Sequence, residues 1–351
     1  MPSGSRSGGA RLHRMTVPLG LLAVLACTAL CALPSSARAD TGAASVTPSA
    51  RAASPTTRTR IDTSSRATVA ALWRRDWRPA ARARVSLSGG SALLCLPYQT
   101  SPATLATMLR ALNFARGLSG VAPLTSLTDA GSGAALSALI QAANRVLTHT
   151  PGSRMLCYTA SGAKAAGRSD IGLWGSTVDN WRPSIASVLT GYLTDSGGGN
   201  ADAAHRLWLL RTAARKLTTG FAMSHSGGWT WVSNDTVVFP NAADVRSGPK
   251  FHAWPGKGYF PIQLEPHGRW SLSAASSRIG FRHARVRVTR NGHRVKVKRL
   301  MPTTSYGDNS LTWQLASRPR LHHKKTAKYC VKVTHIRHSK AYSYCTYLFR
   351  P

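Results

Sequence analysis

Near Leu210 the hydrophobic period of this 351-residue chain changes from that of helices to that of strands, and only folds that combine both element types accommodate such a change. Upstream, Ser101-Pro102 is a helix start, and Leu105, Met108, Leu109 and Leu112 follow at helical spacing. A second helix is predicted over 127–147, with Ala135, Leu139, Ala142, Ala143 and Val146 as its buried stripe. A third spans 185–193 and is broken by the loop 196–200, and a fourth opens near Ala203. Downstream, 217–222 and 229–232 are β-prone runs separated by Ser224-His225-Ser226-Gly227-Gly228, which reads as a hairpin. Residues 236–257 form a connector containing Pro and Gly, and beyond it the chain is all β. There 285–290 and 294–298 flank Asn291-Gly292, a two-residue type I′ turn, with valines on one face and cations on the other. The runs 329–333 and 342–349 are further strands. The class predicted is α+β, and residues 250–351 are expected to form an immunoglobulin-like sandwich.

The N-terminus carries Arg6, Arg11 and Arg14 before an apolar run at 17–33 and an Ala37-Arg38-Ala39 site. That pattern is a secretory signal peptide over 1–39, and it places the protein outside the cell. A lipid anchor at Cys27 is disfavoured because the apolar run continues past that cysteine. Residues 40–90 read as a disordered linker of Ser, Thr, Ala, Pro and Arg. Trp73 and Trp77 interrupt it, as a short helix docked on the domain or as a membrane-surface contact. With Cys27 and Cys31 removed in the signal, Cys95, Cys157, Cys330 and Cys345 remain, an even number that favours disulfides in an exported protein. Pairing Cys95 with Cys157 and Cys330 with Cys345 keeps each bond within one of two domains, 91–240 and 250–351.

The 46 Lys and Arg outnumber the 12 Asp and Glu by 34. From Lys250 onward the imbalance is 21 against Glu265 and Asp308. Arg285, Arg287, Arg294, Lys296 and Lys298 on the hairpin, with Lys324 and Lys325 in the loop 318–325, are expected to form a basic patch. Such a patch holds polyanions without reading sequence, in a salt-sensitive way, and the partner expected is an anionic cell-envelope polymer or surface. Specific nucleic-acid recognition is not expected, because no reader motif is present and the tryptophans do not alternate with the cations.

Three dispersed motifs add a resemblance: Leu112-Asn113-Phe114-Ala115-Arg116 followed by Gly117-Leu118 and Pro123-Leu124-Thr125, then Leu147-Thr148-His149-Thr150-Pro151, then His205-Arg206-Leu207-Trp208-Leu209-Leu210. In this order they resemble the bacterial secreted branch of the CAP superfamily, the fold of cysteine-rich secretory, antigen 5 and pathogenesis-related proteins, over roughly 95–235. The resemblance implies an α-β-α sandwich whose cleft holds two histidines and two acidic residues. His149 and His205 fall on the histidine positions, and Asp170 and Asp195 are nearest to the acidic ones, with Ser153 close to the cleft. Two imidazoles of this kind are candidate ligands for zinc. The family's glutamate position reads Gly167-Arg168-Ser169-Asp170, so the carboxylate is displaced and an arginine stands beside it. Both histidines also suit structural roles at helix ends.

No G-x-S-x-G, H-E-x-x-H or equivalent spacing occurs. The first reading is therefore a secreted, envelope-associated, non-catalytic module that takes a small or lipidic ligand in its cleft. A metal-dependent hydrolase using the cleft histidines and a plain polyanion binder are the alternatives.

Overall fold

A computed structural model describes residues 61–131, 133–238, 248–305, 307–321 and 325–351. The signal peptide over 1–39, residues 40–60, Tyr306 and Lys324 lie outside the described residues. The described residues form one compact unit containing both helices and sheets. It opens with helix α1 (Arg66–Leu72), a π-helical turn (Trp73–Trp77) and α2 (Arg78–Arg82), and then a two-strand pair, β1 (Leu87–Ser88) with β2 (Gln99–Thr100). Helix α3 (Pro102–Leu118), β3 (Ser126–Thr128), α4 (Ala134–Asn144), α5 (Ala160–Ala166), β4 (Ser169–Ser176), α6 (Ile185–Thr194), α7 (Ala204–Leu209), β5 (Lys216–Ser226) and β6 (Trp229–Val237) complete the first half.

These residues form a four-stranded sheet in the order β3-β5-β6-β4, with β3 parallel to β5 and the other pairs antiparallel. Strand alternation sends neighbouring side chains to opposite faces. On one face Asp235 of β6 meets Ser137 of α4; on the other, Asn234 meets Tyr192 of α6. The sheet thus carries helices on both faces. Helix α4 crosses β5 so closely that a Cβ on Gly220 would stand 2.2 Å from the Ala135 nitrogen, which only glycine permits.

The second half is two β layers. One sheet has the order β11-β10-β14-β15-β8, from β8 (Gly258–Pro261), β10 (Arg285–Arg290), β11 (His293–Val295), β14 (Ala327–Thr334) and β15 (Tyr342–Phe349), with β15 and β8 parallel. The other has the order β12-β13-β9-β7, from β7 (Phe251–Trp254), β9 (Arg269–Ala274), β12 (Val297–Thr303) and β13 (Asn309–Leu315). Trp270 packs edge-on against Tyr329 between the layers, and Trp313, Leu272, Val288 and Leu348 are fully buried with them. Both expected disulfides form; Cys330 and Cys345 sit directly opposite on β14 and β15.

The two halves are joined by buried polar contacts. Asp308 accepts from the Thr212 backbone and hydroxyl, at 2.9 and 3.1 Å, and pairs with His252 at 3.0 Å. Burial would raise its pKa, but these hydrogen bonds hold it below the usual value. Arg269 donates to the Asn200 carbonyl at 2.9 Å and to that of Asp195. Arg116, fully buried, donates to the carbonyls of Ala122, Leu209 and Ala214, and so ties α3 to the turn before β3 and to the segment after α7.

Three expectations are corrected. The linker assigned to 40–90 is folded from residue 61 onward: Val69, Trp77 and Ala80 are buried, and the two tryptophans stack at 5.8 Å and meet Phe114. Their spacing makes an apolar helical stripe that the polar composition of the surrounding window conceals. The helix expected over 127–147 covers Ala134–Asn144 only, because the first residues enter β3 and Arg145 turns left-handed at φ 54°, leaving Val146 exposed. The basic hairpin keeps its turn, but the chain crosses at Lys296, so Lys298 belongs to the other sheet.

Candidate functional site

Helix α6 ends at Asp195, which adopts a left-handed conformation (φ 53°), and the loop that follows returns the chain to α7. This geometry aims the Asp195 carboxylate at the start of α7. Its Oδ2 accepts from the His205 backbone N–H at 3.0 Å, and its Oδ1 accepts from His205 Nδ1 at 2.7 Å. The imidazole lies against the Tyr192 ring, with centroids 5.5 Å apart, and Tyr192 is fixed in turn by its hydroxyl bond to Asn234 at 2.9 Å. With 20% of its side chain exposed, His205 keeps one edge toward solvent while Asp195 is buried.

Burial alone would lower the His205 pKa. The hydrogen bond that His205 donates to Asp195 and the fields of Asp170, Asp195 and Asp202 outweigh it and raise the value to about 9. Asp170, on β4, is pushed well above the carboxylate range by burial and by Asp195, against the pull of His205. Both His205 and Asp170 thus favour their protonated forms. A second buried carboxyl, Asp235, is raised to about 7 by burial and accepts from Ser137 and Ser233.

The structure brings Asp170, Asp195 and His205 into interaction, whereas the hydrogen bond of the His149 ring goes to a helix end. His149 is exposed, and its Nδ1 donates to the last carbonyl of α5, Ala166, at 2.9 Å, a helix-end contact. Ser153 is exposed in the loop between α4 and α5. Among the described residues no group of three or more His, Cys, Asp or Glu is placed to hold a metal ion. The residues do not fit the zinc site that the histidine positions suggest.

The β half presents a different surface. Its two carboxylates, Glu265 and Asp308, are both buried, so every exposed charged side chain described there is a cation. Arg285, Arg287, Arg294, Lys296, Lys298 and Lys325 are all exposed. Arg287 faces Lys332 directly across β10 and β14, and like charges in that position destabilise a sheet. Both line an open concavity of about 360 Å³, together with Thr289, Cys330, Ser343 and Cys345. A neighbouring one of about 530 Å³ is lined by Arg282, His283, Arg285 and His335. Lys328 and Lys332 were not among the expected binding residues, although their alternation with Tyr329, Val331 and Val333 carries the same outward-cation pattern as the hairpin. No family model matches the chain, and no curated protein matches it.

Proposed function

We propose that this protein is an exported, envelope-associated module of the CAP type, non-catalytic, whose immunoglobulin-like β half holds an anionic polymer or surface. The observation that carries this reading is the single sign of the exposed charge on that half, with Arg287 and Lys332 opposed and no exposed carboxylate described to neutralise them. An external polyanion would supply the counter-charge that such a pairing lacks. The two disulfides suit an oxidising compartment. The CAP assignment is supported by helices on both faces of the sheet and by Arg116, Asp195, His205 and Arg206 at structural junctions. The partly exposed His205 then offers a hydrogen-bond donor to a small or lipidic ligand bearing an acceptor.

The test is titration of the full chain with inorganic polyphosphate and with neutral dextran at low salt. The proposal expects binding to the first alone; binding to both, or to neither, would overturn it. A hydrolase reading draws on the Asp195–His205 pair, which orients an imidazole as in general acid–base catalysis. It requires a loss of turnover in His205→Gln with any hydrolysable ester that the wild type cleaves.

A further inference from the structure

At one end of the helical half the chain exposes large apolar side chains that a water-facing surface does not need. Leu93 is 92% exposed, Leu94 68%, Leu96 51% and Leu156 62%. Single exposed leucines are ordinary, but a contiguous group marks an interaction surface. These are contiguous because the structure ties their backbones together. The loop 91–96 is closed by paired hydrogen bonds between Ser91 and Leu96, at 2.8 and 2.9 Å, and the Cys95–Cys157 disulfide staples it to the segment bearing Leu156. Asn144, at the end of α4, then holds Leu156 by both its N–H and its carbonyl, at 3.0 Å each, which places exposed Val146 and Leu147 beside it. Arg145 continues the link to Ser226 at the β5–β6 turn, where Trp229 stands 42% exposed.

We infer that this stapled tip inserts into the surface of an anionic lipid bilayer. The leucines are carried on a short, closed, covalently fixed loop, so little ordering entropy opposes their insertion. Arg145 and Arg154 are exposed beside them, and no carboxylate occurs within 86–98 or 144–158, so nothing on the tip repels acidic headgroups. No helix among the described residues is long and apolar enough to cross a membrane. The tip shares no residue with the basic β face, and its binding is apolar as well as electrostatic. It therefore persists in salt that releases polymer from that face.

The experiment is flotation of the full chain with vesicles of phosphatidylglycerol and phosphatidylcholine in equal parts, in high salt. The comparison variant is Leu93→Ser/Leu94→Ser/Leu156→Ser, which changes no charge. Its partitioning is expected to fall about tenfold or more, with unchanged melting temperature and unchanged polyphosphate binding. Equal partitioning of variant and wild type would overturn the inference. So would a wild type that ignores the vesicles, including one that instead forms dimers through this surface. Loss of polyphosphate binding with retained flotation would sink the proposed function alone.

Discussion

The two halves of this molecule differ in the charges they bury, although both expose an excess of cations. In the helical half Arg116, Arg206, Asp170, Asp195 and Asp235 are all buried; Arg116 and Arg206 donate to backbone carbonyls, Asp195 accepts from the start of α7, and Asp235 accepts from the Ser137 hydroxyl. In the β half the two carboxylates are inside and the exposed charges are all cations. Buried charge governs stability and exposed charge of one sign governs association, so equal numbers of substitutions in the two halves should have unlike consequences.

The sharpest contrast comes from Arg116→Ala, which should cost about 4 kcal/mol in urea unfolding, because three buried carbonyls lose their donor and a large cavity remains. A loss under about 1 kcal/mol would break the claim that buried charge organises this half. Asp195→Ala removes the acceptor of both the α7 backbone and the His205 imidazolium, and about 2 kcal/mol is expected by the same measurement.

The pH dependence follows from groups whose folded pKa values are raised. Asp235, about 7 against an ordinary 3.8, contributes stability that is complete below the lower value and lost as pH rises through the higher. His205, about 9 against 6.5, behaves alike in its own range. The melting temperature should therefore fall by roughly 5 °C between mildly acidic and alkaline pH, and Asp235→Asn should flatten the lower part of that decline. The smallest stability effect is expected for Arg287→Ser/Lys332→Ser, within about 0.5 kcal/mol and toward stabilisation, since a like-charge pair is removed.

How far the sequence disclosed this arrangement depended on local pattern. Helices α3 and α6 were legible because Ser101 and Ser184 cap them, each accepting a backbone N–H three residues on, ahead of regular apolar spacing. Strand β4 was not. Its Gly172 and Gly175 interrupt the alternation because a Cβ at either would collide with Trp174 or Trp231, so the packing that requires them erases the strand signal. Of the candidate site, His205 and Asp195 were identified separately, but their bond spans ten residues and depends on a left-handed turn that residue types alone do not reveal. The pairing of Arg287 with Lys332 likewise depends on strand register between segments far apart in the chain.

The central claim is that the cations of the β half form a binding surface rather than a solvated coat. It is tested most directly by the salt dependence of polyphosphate binding for the full chain and for Arg285→Ser/Arg287→Ser/Lys332→Ser. The account predicts that the logarithm of affinity falls linearly with the logarithm of salt concentration. In the variant the slope should be smaller by about three, at unchanged melting temperature. Identical slopes for the two proteins would contradict it.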